Sequence, residues 1–144
     1  MERSDREARI RDHFGAIGTD EARAAAIYAD DAVLEYVQSK ERIRGRAAIV
    51  ASRRAYPGRP APFDVHRVFG SDELQAVEMT MRISGDEPHP VVAILEFRGE
   101  LVVRERIYIA DPWDPPAYRA EWAEPIEPDP APGPGLDPTA QSGA

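Results

Sequence analysis

The chain predicts an α+β fold, with N-terminal helices packed on one face of a curved, mostly antiparallel sheet. Three observations carry that class. Apolar residues near the start recur at helical spacing, as in Ile10, Phe14 and Ile17. The second half holds β-rich runs at residues 63–69, 73–83, 91–98 and 101–110. Turn signals at Gly70-Ser71, Gly85-Asp86 and Gly99-Glu100 join those runs by connections short enough only for antiparallel neighbours. Helices first and strands later place the helices on one side of the sheet.

The elements follow in order. Ser4 is placed to cap a first helix that Gly18 ends. Thr19 or Asp20 caps a second, alanine-rich helix running through Ala26, Ile27 and Tyr28, and Asp30 and Asp31 mark its exit. Residues 32–38 read as a strand, with Val33, Glu35 and Val37 on one side and Leu34, Tyr36 and Gln38 on the other. Residues 40–44 form a charged turn or short hairpin arm, solvated rather than a docking patch. Gly45 then precedes a helix over residues 46–56, which YPGRPAP stops. Met79 and Met81, with Val77 and Ile83, read as a packed sheet face. After the last strand, Trp113, Tyr118 and Trp122 are expected to fold back as a lid or to close over a partner subunit. Residues 125–144, PIEPDPAPGPGLDPTAQSGA, offer almost nothing to bury and read as a disordered tail behind a domain of residues 1–124.

Bulk properties exclude several kinds of function. A chain of 144 residues makes one domain with an appendage. The absence of cysteine removes disulfides, thiolate metal sites and cysteine nucleophiles. A net charge of −8 argues against nucleic-acid binding, because an acidic surface repels phosphate. No apolar run approaches the ~20 residues needed to span a bilayer, and the charged start lacks the apolar centre of a signal peptide. A cytoplasmic protein with no membrane partner is expected. There is no GxSxG elbow, phosphate-binding glycine loop or dinucleotide fingerprint, so no cofactor is expected. The three histidines lack metal-ligand spacing, so no metal is expected.

The stretches IYADDAVLE, ERIRGRAAI and VVAILEFRGELVVRERIYIADP, in that order, resemble the nuclear transport factor 2 superfamily, most closely its SnoaL-like branch of polyketide cyclase relatives. The resemblance covers about residues 9–124. It implies a cone-shaped fold with a pocket between helices and sheet, and a homodimer paired through the sheets. It does not name one reaction, since the same cone hosts isomerases, cyclases, epoxide hydrolases, dehydratases and binding modules. Against the ketosteroid isomerase branch, the general-base aspartate falls on Tyr36. The helix tyrosine falls near His13 or Phe14, and the protonated aspartic acid falls on Leu95 or Glu96. Against the cyclase and epoxide hydrolase branches, the acid of the last strand falls on Ile107.

One carboxylate is left to consider. If Ile107 faces the pocket, strand alternation places Val103, Glu105 and Ile109 beside it. Among Val and Ile, desolvation would raise the pKa of Glu105 toward that of a general acid or base. A bulge that turns it outward, or an ion pair with Arg104 or an arginine on a neighbouring strand, would make it structural instead. His13 shares the inward stripe of the first helix and would donate to a ligand, shuttle a proton, or serve as a hydrogen-bonded boundary residue. His66 is expected at the surface, and His89 at a strand entry near the cavity rim.

Two functions stay open. One is a pocket for a small apolar organic ligand, walled by Phe14, Tyr28, Leu34, Ile107 and Ile109. If catalytic, it would run cofactor-free cyclisation, isomerisation or dehydration, with Glu105 as proton carrier and His13 or Tyr36 as hydrogen-bond donor. The other is a non-catalytic binding or dimerisation module that lacks the usual acids.

Overall fold

The computed structural model describes residues 3–58, 63–82 and 87–127. The chain forms two compact units, Met1–Pro112 and Trp113–Ala144. The first contains α1 (Arg3–Ala16), α2 (Glu21–Ala25), β1 (Tyr28–Tyr36), β2 (Glu41–Arg44), α3 (Arg46–Arg54), β3 (Phe63–Gly70), β4 (Leu74–Met81), β5 (His89–Arg98) and β6 (Leu101–Ile109). The strands make one open sheet in the order β2-β1-β6-β5-β4-β3. All neighbours are antiparallel except β1 and β6, which run parallel because the intervening chain returns β6 to the middle of the sheet. The predicted α+β class, with helices on one face of a mostly antiparallel sheet, is the observed one.

The helices are held by their ends and one apolar stripe. On α1, Arg6, Ile10, His13, Phe14 and Ile17 (just past its end) recur three or four residues apart and are all buried. Asp20 caps α2 by accepting from the Arg23 amide, while Thr19 Oγ1 instead donates to the Ala16 carbonyl. α1 begins at Arg3, so Ser4 lies inside its first turn rather than capping it. On α3, Ile49 is the fully buried contact.

Three register slips change what alternation alone predicts; the one in β3 adds His66 between Val65 and Arg67, and the other two border the site. Tyr28 opens β1 rather than closing α2, and between Tyr28 and Val33 the register with β6 slips. Five steps on β1 match two on β6 there, so Asp30 and Asp31 bulge into solvent and pair with Arg46 and Arg98 instead of ending a helix. The second slip lies between Glu96 and Phe97, whose partners are Arg104 and Val102. Val103 is the extra residue. It is half-exposed, and Val102 takes the buried place that alternation had given it.

The core-facing side of the sheet therefore carries Ile43, Leu34, Tyr36, Val102, Glu105, Ile107, Ile109, His89, Val91, Ala93, Leu95, Phe97, Val77, Met79, Met81, Phe63, Val65 and Val68. The opposite face is charged. There Glu35 accepts from Arg42 and Arg104, and Arg106 approaches within 3.3 Å. The β3–β4 turn depends on Gly70, at φ +145°, where an added Cβ would lie 2.1 Å from the Leu74 carbonyl oxygen.

In the second unit, residues 117–119 form a single 3-10 turn, and Trp113, Tyr118 and Trp122 are exposed. Ile83, the Gly85-Asp86 turn, the end of YPGRPAP and residues 128–144 of the expected tail lie outside the described residues.

Candidate functional site

Register fixes the centre of the site. On the core-facing side, Leu34, Glu105 and Leu95 form one row across β1, β6 and β5, and Tyr36, Ile107 and Ala93 form the next. Tyr28, freed by the β1 bulge, reaches into the same region. α1 lays His13 against it and α3 adds Arg53. Arg53 stands one helical turn beyond Ile49, so the face that buries Ile49 also aims Arg53 inward.

These five polar side chains form a connected cluster. The Tyr28 hydroxyl donates a short hydrogen bond to Glu105 Oε1 and accepts one from Arg53 Nη2 at 3.0 Å. Arg53 also faces the Tyr36 hydroxyl and favours its ionised form, against the larger effect of burial. His13 Nδ1 lies 2.6 Å from the Ala24 carbonyl oxygen, so that nitrogen carries the proton. Nε2 is left as an acceptor, 3.5 Å from the Tyr28 hydroxyl and 3.8 Å from Glu105 Oε1. The His13 ring meets Phe14 and Tyr28 edge-on, at 4.6 and 5.2 Å. Glu105 is 0 % exposed, and its Oε2 has no hydrogen-bond partner. An unpaired buried carboxylate oxygen is costly, and that cost is either compensated by a proton or made useful by a ligand.

The electrostatics follow from burial around one fixed cation. Burial pushes the Glu105 carboxyl above its ordinary range, while Arg53 and the Tyr28 hydrogen bond oppose this without cancelling it. Burial, reinforced by Arg53, lowers His13 to about 3. The 3.8 Å approach to Glu105 is thus no ion pair at neutral pH but a neutral imidazole acceptor facing a carboxyl group. Burial raises both tyrosines, so both remain hydroxyl donors. For Arg53, burial works against the charge, but Tyr28, Glu105 and Tyr36 outweigh it and the guanidinium stays charged. The arrangement can move a proton at Glu105 and offer hydroxyl and guanidinium hydrogen bonds beside it.

The SnoaL-like domain family matches residues 10–105. The chain belongs to that family. Among solved structures, it is similar to an NTF-2-like protein of unknown function from Burkholderia xenovorans LB400, at 36% identity over 86% of this chain and 97% of the other, with a TM-score of 0.77. It is also similar to a candidate ketosteroid isomerase from Kribbella flavida DSM 17836, at 28% identity over 88% and 93%, with a TM-score of 0.76. An LEH-like epoxide hydrolase from M. tuberculosis shares the fold at 21% identity, over 74% and 84%, with a TM-score of 0.63. No curated protein matches the chain. The SnoaL-like, nuclear transport factor 2-like fold is therefore established.

Within this SnoaL-like domain, Tyr28, Tyr36, His13 and Glu105 come together. Glu105 neither turns outward nor pairs with Arg104, which serves Glu35 on the opposite face. Phe14, Leu34 and Ile107 are buried around the cluster, and Ile109 is half-buried one row beyond Ile107. Of the two alternatives on β5, Leu95 faces inward opposite Glu105, whereas Glu96 faces outward, 3.5 Å from Arg104. Arg53 is the residue that reading the sequence missed. Its position four residues after Ile49 on an amphipathic helix was the available signal.

His66 lies in β3 and bonds Thr80 across an exposed strand pair, and His89 is buried at the start of β5 with Nδ1 3.1 Å from the Ala110 carbonyl. An open hollow of about 380 Å³ lies between α1 and α2, with Ala8, Ala26 and Ile27 in its wall, and His13 borders it. Among the described residues, no group of three or more His, Asp or Glu side chains is placed to hold a metal ion, and no helix is long and apolar enough to cross a membrane.

Proposed function

We propose that this SnoaL-like protein binds a small, mainly apolar molecule and moves a proton on it without a cofactor, in an isomerisation, cyclisation or dehydration. The observation that carries this is Glu105, a fully buried carboxyl with one oxygen unpaired and a raised pKa. In the proposed step the Glu105 carboxylate takes a proton from a carbon next to a substrate carbonyl. The electron pair moves onto the carbonyl oxygen, which Tyr36 holds by its hydroxyl. Glu105 then returns the proton at another carbon, so nothing is oxidised or reduced. Tyr28 and Arg53 orient Glu105. His13, with Nδ1 committed to Ala24 and Nε2 a bare acceptor 3.8 Å from Glu105 Oε1, is no donor to substrate. The ketosteroid isomerase name of one solved relative is consistent with such chemistry. Tyr36 and Ile107 stand where the resemblance puts the acids of the ketosteroid isomerase and epoxide hydrolase branches, which moves the carboxylate to Glu105.

Deuterium incorporation from D2O provides a test that needs no known substrate. NMR of tetralone, cyclohexenone and levulinate incubated with protein reads proton exchange beside a carbonyl. The wild type is expected to accelerate exchange for at least one of them, and Glu105→Gln to lose at least 100-fold of that acceleration while keeping its melting temperature within a few degrees. Equal acceleration by the variant would remove Glu105 from the chemistry. No acceleration by the wild type would favour the non-catalytic binding module.

A further inference from the structure

Arg53 differs from the arginines that pair with a carboxylate. Arg11, Arg23, Arg42, Arg46, Arg67, Arg98, Arg104 and Arg106 each have a carboxylate within 4 Å. Among the described residues, Arg53 has none. Its guanidinium donates to one neutral hydroxyl, that of Tyr28, and faces a second, that of Tyr36. It projects from the last turn of α3 onto the core-facing side and is itself half-buried. A guanidinium has five N–H donors in a planar fork, and two hydroxyls do not exhaust it. The one carboxyl nearby, Glu105, is reached through Tyr28 rather than directly.

The sheet face onto which Arg53 projects, beside Tyr36, is apolar and only partly covered at one end. Tyr36, Ile109, Met81 and Phe63 are half-buried and belong to the same face of the sheet. Register brings them to one end of it. Phe63 pairs with Met81 and Met81 with His89, while Ile109 pairs with Val91 and Ile107 with Tyr36. A cation with spare N–H donors and no carboxylate within 4 Å, beside a half-open apolar rim, has a complementary partner of defined chemistry.

We infer that the ligand of this site is an organic monoanion, a small apolar body resting on Tyr36, Ile109, Met81 and Phe63 with a carboxylate held by the Arg53 fork. A planar carboxylate matches a planar guanidinium through two parallel hydrogen bonds, which an amide or alcohol does not reproduce. The inference rests on the same site as the proposed function and narrows its substrate class from neutral molecules to acids. It also couples ligand to proton. A carboxylate on Arg53 lies close to Glu105, so protonation of Glu105 removes a like charge and binding tightens. The groups facing that proton are His13 from α1, Tyr28 and Tyr36 from β1, and Arg53 from α3. His13, lowered to about 3, is neutral near neutral pH and Arg53 is charged, so the proton that couples to the ligand is that of Glu105.

Calorimetric titration with decanoate, hydrocinnamate and cyclohexanecarboxylate, each against its primary amide, tests this on the full chain. At least one acid is expected to bind the wild type ten-fold or more tightly than its amide. Arg53→Gln should abolish that preference, and Arg53→Lys should keep part of it. Affinity for the acid should rise as pH is lowered and Glu105 takes up its proton, and Glu105→Gln should bind the acid tightly with that dependence flattened. Equal binding of acid and amide by the wild type, or no acid binding at millimolar concentration, overturns the inference. So does a preference that survives Arg53→Gln. Because this wild-type comparison needs no turnover, acid preference without deuterium exchange would sink the proton-transfer proposal and leave the ligand class standing. Exchange without acid preference would do the reverse.

Discussion

His13 places an imidazole in the core beside a guanidinium, and that placement sets the response of the fold to acid. Its pKa falls from 6.5 to about 3 on folding, so between those values the unfolded chain binds a proton that the folded one refuses. The stabilisation is complete above the unfolded value and is lost as pH falls toward 3. Glu105 works in the opposite sense. Its raised pKa means the folded state holds a proton more readily, so its burial costs least at low pH and most above the raised value. With about 1.36 kcal/mol per pH unit, His13 removes roughly 3 kcal/mol between pH 6.5 and pH 4. His13→Gln, neutral at every pH and still able to donate to the Ala24 carbonyl, should flatten that acid limb. Urea midpoints from pH 4 to 8 measure it, and parallel curves for variant and wild type would contradict the placement. The sequence put His13 on the inward stripe, but the lone-pair direction came only from α2, whose Ala24 carbonyl claims Nδ1.

β1 carries different chemistry on its two faces. Leu34 and Tyr36 turn toward the core, while Glu35 between them is gripped by arginines from β2 and β6. Hydrogen bonds from Arg42 and Arg104 hold its carboxyl below the usual range, so its contribution is present above pH 4.5 and is lost as pH falls through that lowered value. Glu35→Gln would leave Arg42, Arg104 and Arg106 repelling one another across adjacent strands. The variant should melt several degrees lower in 20 mM salt, with a smaller gap in 1 M salt because screening weakens that repulsion. A salt-independent gap would mean lost packing rather than charge. Alternation was legible for residues 33–36 and for Glu105, Ile107 and Ile109. It failed at Val103 and around Asp30, where bulges add residues to one strand, because a bulge answers to the partner strand and not to its own sequence.

In the whole molecule, the six strands, three helices and the proton-bearing cluster all belong to the unit Met1–Pro112. A chain ended after Pro112 should therefore unfold in one cooperative step with a melting temperature within about 3 °C of the full chain, since a change of 1 kcal/mol shifts a domain of this size by roughly 4–8 °C. A drop beyond 10 °C, by calorimetry, would show that residues 113–144 are part of the folding unit.

The sequence by itself determined the class, the order of elements and the family, because helical and alternating periodicity are written locally in residue order. It also singled out Glu105 as a carboxylate among apolar neighbours. Only tertiary structure decided that Tyr28 enters the sheet, that Oε2 of Glu105 goes unpaired, and that Arg53 meets two hydroxyls instead of a carboxylate. Those facts depend on chain segments separated by 25 and 77 residues meeting at one point, and no local pattern encodes such a meeting.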